Sequence, residues 1–269
     1  MSNNNALPLL QDANILEMKE TLPPENIYGH TKKLRFILGH LRNYMEYSGK
    51  PIRVLDFGCG NGAAVSQFLI RKGVTLYGID IHEPSIEYAK THFGGENALF
   101  LYRLPDSVVF DVIVYADILE HLHDPEAVLR DHWMKLKDCG LIIGSVPNGY
   151  GPFEMEKRFA RWFHLAELLT LAAAIKGKLC GHKVAQREAI PYNIESGHVQ
   201  FFSRRVLYNL FHHTGFSIED FRNGSFVGAP FSQQLFLRGQ RIAEINAALA
   251  DFLPHWMVST WYFTARKTK

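Results

Sequence analysis

Hydrophobic positions along this chain follow two periods that take turns. Between Tyr28 and Tyr47, the residues Leu34, Ile37, Leu38, Leu41 and Tyr44 recur at helical spacing, with Lys32, Lys33, Arg35 and Arg42 between them. That pattern predicts an amphipathic helix. Short continuous apolar runs then appear: IRVLDF, TLYGID, ALFLYR, FDVIVYA and LIIGSV. Each has the length and evenness of a strand buried on both faces of a parallel sheet. Helical segments are predicted between them. One covers residues 63–72 and is closed by Gly73, and another is entered at Pro84. A third is HDPEAVLRDHWMKLK, with Asp124 as N-cap, Pro125 at the first helical position and Gly140 just past the end. Strand–helix alternation at this spacing predicts a right-handed, doubly wound α/β sheet.

After Pro147 the rhythm changes, and four regions are expected. Residues 1–25 read as a flexible polar leader, and residues 26–149 as the ligand-binding half of the sheet domain with its N-terminal helix. Residues 150–198 read as an inserted helical lid, with a helical stretch from Glu156 to Lys176. Residues 199–269 complete the sheet domain. There Ser203 caps RRVLYNLFHHTG, FSIEDFR is a strand, a helix runs near Arg238 to Phe252, and MVSTWYFTAR is the last strand. His212 and His213 fall at a helix C-terminus, where their charge suits the helix dipole.

Composition narrows the class. The chain has 269 residues, 47% hydrophobic and 21% charged, as in ordinary globular proteins. A formal charge of +2 with 13 histidines neutral gives no footprint for a nucleic-acid partner. Cys59, Cys139 and Cys180 are odd in number and widely spaced, which fits a reducing compartment. The start lacks the order of a signal peptide, and LAELLTLAAAI is too short to cross a bilayer. A cytoplasmic protein is expected.

The chemistry begins at DFGCGNG. Asp56, Gly58, Gly60 and Gly62 stand between a predicted strand and a predicted helix, where a loop can hold a nucleotide-like ligand. The dinucleotide fingerprint also fits Gly58, Gly60 and Ala63. Asp56 opposes that reading, because an acid would repel a pyrophosphate, whereas a cationic ammonium accepts it. Asp80 ends the second strand, 24 residues after Asp56, where a carboxylate can accept ribose hydroxyls or cap the next helix.

VLDFGCGNG, YGIDIHEPSIEYAK, FDVIVYADILEHLHDPEAVL, GLIIGSVPN and GHVQFFSRRVLYNLFHHTGF resemble, in order, the motifs of class I S-adenosylmethionine-dependent methyltransferases. The similarity covers about residues 50–150 and 197–223, within the small-molecule group that includes ubiquinone and menaquinone methyltransferases. It implies a Rossmann-like, seven-stranded, mostly parallel sheet with a reversed final hairpin. S-adenosylmethionine is the implied cofactor, with Asp56, Phe57, Gly58, Gly60, Asp80, Ile81 and Asp117 as its expected contacts. The acid that such enzymes often carry near the adenine is replaced by YRLPDS, with Tyr102, Arg103 and Asp106. The N–P–P–Y motif of adenine and glutamine methylation is absent.

Methyl transfer needs the acceptor held in line and dry, and a hydroxyl acceptor gains from a general base. ADILEHLHD follows the fourth strand at the edge where ligands bind. Three readings of it stay open. His121 is the base, or Asp117, Glu120 and His121 hold a divalent metal as a similar run in ubiquinone-type enzymes implies, or the residues only fasten the turn. His198 is a second candidate for acceptor chemistry or a loop-fixing histidine, and Tyr150 and Phe153 are expected to line the acceptor pocket. The apolar helix of the lid predicts a lid or dimer contact, with a membrane surface as the alternative. The expected activity is methyl transfer to a small-molecule or lipid-linked acceptor, at the oxygen of a phenol or sugar hydroxyl. The rival classes are a non-catalytic S-adenosylmethionine-binding subunit and a dinucleotide-dependent oxidoreductase.

Overall fold

A computed structural model describes residues 27–162, 191, 197–227 and 240–268. The N-terminal helix is α1, Ile27–Ser48, one residue longer at each end than its predicted span. The sheet follows as β1 Ile52–Phe57, β2 Val74–Ile79, β3 Ala98–Leu101, β4 Phe110–Ala116, β5 Leu136–Pro147, β6 Phe216–Asn223 and β7 Thr260–Lys267. Between them lie α2 Ser66–Leu69, α3 Glu83–Phe93, α4 Pro125–Lys135, α5 Pro152–Trp162, α6 Arg204–His213 and α7 Gln240–Ala250.

The seven strands are ordered β3-β2-β1-β4-β5-β7-β6. The first five pair in parallel, and β7 runs antiparallel between β5 and β6. The order reverses between β1 and β4, whose register pairs Val54 with Val112 and Asp56 with Val114. A crevice therefore opens at the carboxyl ends of these two strands, which is where ligands bind in open α/β sheets.

The continuous apolar runs have a simple cause, since both faces are covered. Val54, Val112 and Val114 face a core shared with Leu34, Ile37 and Leu41 of α1. Their neighbours Leu55, Ile113 and Tyr115 face a second core with Leu129 of α4 and Leu207 and Phe211 of α6. Strand residues alternate between faces, so two cores demand apolar residues in succession.

Two sequence expectations are corrected. The helix expected over residues 63–72 shrinks to the single turn of α2, because the chain is still turning through Gly62 at φ +78°. Gly140 does not follow the end of α4; it lies inside β5. The register shifts there from Phe110–Leu136 to Val112–Leu141, and a Cβ on Gly140 would lie 2.6 Å from the Leu136 side chain. The predicted caps hold. Asp124 accepts a hydrogen bond from the Ala127 N–H and Ser203 from the Val206 N–H. Most of the predicted lid lies outside the described residues, although α5 forms its first part. No helix among the described residues is long and apolar enough to cross a membrane.

Candidate functional site

The glycine loop leaves β1 and is fixed by the end of β2. The N–H groups of Gly58 and Cys59 both donate to the Ile79 carbonyl, at 2.8 and 2.9 Å. Gly58 has φ +75°, and a Cβ there would stand 2.4 Å from the Ile118 side chain. Only glycine combines that backbone with that proximity. Gly60, at φ +55°, directs its N–H to Asp80 Oδ2 at 2.8 Å, while the His82 N–H donates to Asp80 Oδ1 at 2.8 Å. Asp80 thus fastens the loop to His82, the N-cap residue of α3, without bonding the helix's own first turn, so it does not act as the expected helix cap. Ile81 beside it is exposed and free to cover a flat ring.

Asp56 is buried beneath the loop, where its Oδ2 accepts the Ser66 hydroxyl at 2.5 Å. Burial pushes its carboxyl up to about 6, with the Ser66 hydrogen bond opposing and the Asp80 charge adding. The Phe57 ring turns the other way, packing edge-on against Tyr115 and His132 in the second core. The Pro191 carbonyl accepts from Asn61 Nδ2 at 3.2 Å and Ser85 Oγ at 3.3 Å, so the chain between α5 and α6 reaches this rim. Tyr102, near the expected adenine side, donates to Glu87, and the Lys90 ammonium lies 4.6 Å from its ring centre.

Asp117 follows β4 with φ +55°, the only non-glycine residue with positive φ among the described residues. Its Oδ1 accepts the Ser145 hydroxyl at 2.6 Å and its Oδ2 accepts Lys33 Nζ at 2.5 Å. Burial works against its charge, but Lys33 and the two hydrogen bonds bring its pKa below the usual carboxylate range. Lys33 went unnoticed in the sequence, where it reads as one more polar position of an amphipathic helix.

A 3-10 turn, Leu119–His121, carries the next two groups inward. Glu120 is buried, its Oε1 is 3.9 Å from His121 Nε2, and its Oε2 has no hydrogen-bond partner among the described residues. Burial and the Asp117 charge push its carboxyl well above the ordinary range. The returning chain seals this turn: the Val199 and Gln200 N–H groups donate to the Glu120 carbonyl at 2.9 and 3.0 Å. His121 Nδ1 reaches the Gly197 carbonyl at 3.2 Å, and burial keeps the His121 pKa below its ordinary value.

That same return brings His198 next to His121, with ring centres 5.0 Å apart. His198 Nδ1 lies 2.7 Å from Oε1 of Glu154, a buried residue of α5. Phe153 stacks on the His198 ring at 6.1 Å, and the Lys157 ammonium sits 4.2 Å from the Phe153 ring centre. Tyr150, expected to line the acceptor pocket, is exposed. Glu154 was also missed: in NGYGPFE it is one acid at the start of a helix, and nothing local marks it.

Of the metal set that the resemblance implies, Glu120 and His121 stand in one cluster of donor atoms and Asp117 stands outside it. Both Asp117 oxygens are engaged, one by a cation. Glu120, His121 and His198 instead offer one donor atom each, all within 4.8 Å of one another.

A family model described as a methyltransferase domain matches residues 29–220. The chain belongs to that methyltransferase family. Curated relatives of this chain include the ubiquinone biosynthesis O-methyltransferase of Coxiella burnetii (strain RSA 493 / Nine Mile phase I). It is 29% identical over 134 residues, covering 46% of this chain and 56% of that protein. The protein of the same name from Shewanella sp. (strain ANA-3) is 28% identical over 159 residues, covering 55% and 66%. The chain spans about half the length of the curated relatives it matches. A solved structure of the plantazolicin methyltransferase BamL, with a triazolic desmethylPZN analog and SAH, aligns at a TM-score of 0.51 and 17% identity. The alignment covers 96% of this chain and 91% of that one. The fold of this chain is therefore the class I methyltransferase fold, in agreement with its strand order.

Proposed function

We propose that this protein transfers a methyl group from S-adenosylmethionine to an oxygen of a small-molecule or lipid-linked acceptor. The cofactor takes the rim between β1 and β2, with Gly58 and Gly60 beneath it, Asp80 toward the ribose, and Ile81 against the adenine. Asp117 closes the side nearest β4, and Asp56 supports the loop from below. The acceptor oxygen forms a bond to the methyl carbon as the carbon–sulfur bond breaks. Its electron pair goes to sulfur, leaving neutral S-adenosylhomocysteine, and the acceptor loses one proton.

The observation that carries the oxygen reading is the convergence of His121 and His198 above buried Glu120, at the carboxyl end of β4. A hydroxyl is a poor nucleophile until its proton leaves, and neutral imidazole in a dry pocket is a suitable group to bring that about. A carboxylate acceptor would not need such a cluster. The name of the curated relatives, O-methyltransferases of ubiquinone biosynthesis, supports an oxygen acceptor too. Met155, Phe159 and Trp162 form an exposed apolar stripe on α5, which supports a hydrophobic or lipid-linked acceptor.

Calorimetric titration with S-adenosylhomocysteine tests the cofactor, with NADH and Asp80→Ala as controls. Binding that is lost in the variant and absent for NADH is expected. Labelled S-adenosylmethionine then reports turnover in a screen of phenols and sugar hydroxyls. A well-folded protein that ignores S-adenosylhomocysteine overturns the reading, and binding without turnover on any acceptor leaves a binding subunit.

A further inference from the structure

A surface helix ordinarily turns its large apolar side chains inward, and α7 does the reverse. Its Asn246, Ala247 and Ala250 are buried, whereas Ile242, Ile245 and Leu249 are 43% to 65% exposed. The Asp251, Phe252 and Leu253 N–H groups each donate three residues back, so the coil runs on and carries Phe252, which is 86% exposed. Trp256, in the 3-10 turn His255–Met257 that follows, is exposed as well. The inward side is fastened by polar groups. Asn246 accepts from the Val227 N–H at 3.0 Å and donates to the Val227 carbonyl at 2.8 Å. Asn223 Nδ2 lies 2.7 Å from both the Ala250 and the Leu253 carbonyls, and Lys32 Nζ of α1 donates to the Ala247 carbonyl at 2.7 Å. Rolling α7 to bury the isoleucines would break these bonds and leave polar groups unpaired. The fold itself holds the apolar stripe outward.

We infer that this stripe is the contact through which two copies of the chain pair, α7 against α7, about a two-fold axis. Ile242, Ile245, Leu249, Phe252 and Trp256 follow one another at spacings of three and four, the repeat with which one helix packs along another. A two-fold contact asks a patch to complement itself, and these five side chains carry no charge that a copy would repel. Their exposed portions come to about 600 Å² of apolar surface, as much as the largest patch on an ordinary monomer. A stable interface needs about 800 Å² on each side, so the stripe supplies its apolar core, and Glu244, Ala248 and Asp251 supply its rim. A lipid surface is the poorer occupant. Residues 240–252 carry one basic side chain, Arg241, against the acids Glu244 and Asp251, whereas a helix that lies on a membrane is rich in Lys and Arg. Pairing also braces α1, because Lys32 ties α1 to α7 and the next residue, Lys33, holds Asp117.

Sedimentation velocity of the full chain, from about 1 to about 100 µM, reads the pairing directly. A species of twice the chain mass is expected. A substitution at a two-fold contact counts twice, so Ile245→Ala should weaken the dimer about 10-fold and Ile245→Glu at least about 100-fold. Phe252→Glu should match Ile245→Glu. Both positions are exposed, so circular dichroism should report an intact fold in every variant. A wild-type chain that stays monomeric throughout overturns the inference, and cosedimentation of that monomer with phosphatidylglycerol vesicles would assign the stripe to a membrane instead. A dimer that persists undiminished in folded Ile245→Glu and Phe252→Glu places the contact elsewhere and overturns it equally. None of these readouts depends on cofactor or turnover, so the proposed function stands or falls separately.

Discussion

The cofactor rim and the acceptor end share one edge of the sheet but are built in opposite ways. The rim comes from two short stretches, the loop after β1 and the turn after β2, and its acids are already answered. Asp80 has two backbone N–H donors and Asp56 has a hydroxyl. The acceptor end draws on the turn after β4, on α5 and on the returning chain, with Glu154 and His198 44 residues apart. It keeps a buried carboxyl oxygen, Glu120 Oε2, without a hydrogen-bond partner among the described residues. The rim is a local, self-satisfied cradle, whereas the proposed acceptor end is assembled from segments distant in the chain.

The largest effect should come from breaking the cradle. Gly58→Val places a branched side chain at φ +75° and onto Ile118, whose side chain is 2.4 Å from a Cβ there. The backbone alone costs roughly 1–3 kcal/mol, and overpacking adds a similar amount. S-adenosylhomocysteine binding should disappear from calorimetric titration, with circular dichroism retained. Near-native affinity would mean that the ligand does not sit on this loop.

Breaking the assembled end should leave the cradle untouched. His198→Ala is expected to lower kcat by about 10²- to 10⁴-fold, the usual worth of an acceptor-activating group, with S-adenosylhomocysteine affinity within about twofold of wild type. A loss of cofactor affinity with normal turnover would place His198 on the wrong side of the comparison.

The same contrast explains what the sequence revealed. The cradle is legible because its residues are neighbours in the chain and their types are dictated by backbone geometry, as at Gly58. The strand runs are legible because two cores cover the sheet. At the acceptor end, His121 and His198 stand out as histidines near strand ends, but Glu154 and Lys33 look like ordinary polar positions of amphipathic helices. Their partners are fixed only when α1 and α5 dock, information that no window of the sequence contains. Gly140 misleads for a related reason. A glycine after a helical pattern reads as a cap, and only pairing with β4 makes it part of a strand.

The buried acid of the cradle gives a smaller effect with a definite sign. Asp56 holds its proton up to about pH 6 in the fold, against 3.8 for the free side chain. Between those values the folded state keeps a proton that the unfolded state has released. Asp56 therefore lowers stability as pH rises from about 4 to about 6, by about 3 kcal/mol at most. Asp56→Asn can still accept from Ser66 and does not titrate. Urea unfolding of the two proteins at pH 4 and pH 7 should show the variant gaining relative to wild type at the higher pH. An equal difference at both values would mean that the acid is ionised throughout.

The smallest effect lies where the two regions meet. Lys33 of α1 holds Asp117, which stands between the cradle and the acceptor end, in a left-handed backbone conformation. The Lys33 side chain is mostly buried, but that of Asp117 is 37% exposed, so the pair is screened and contributes no more than about 1 kcal/mol. Lys33→Met keeps the aliphatic stem and removes the charge, and the Ser145 hydroxyl still holds Asp117 Oδ1. If the ion pair presets Asp117 for the cofactor, affinity for S-adenosylhomocysteine falls by up to about fivefold, which is what 1 kcal/mol amounts to. Calorimetry at low and high salt checks this, since the wild-type advantage should shrink as salt screens the pair. Tighter binding in Lys33→Met would reverse the assignment: Lys33 would then compete with the ligand for Asp117, and α1 would restrain the cradle instead of supporting it.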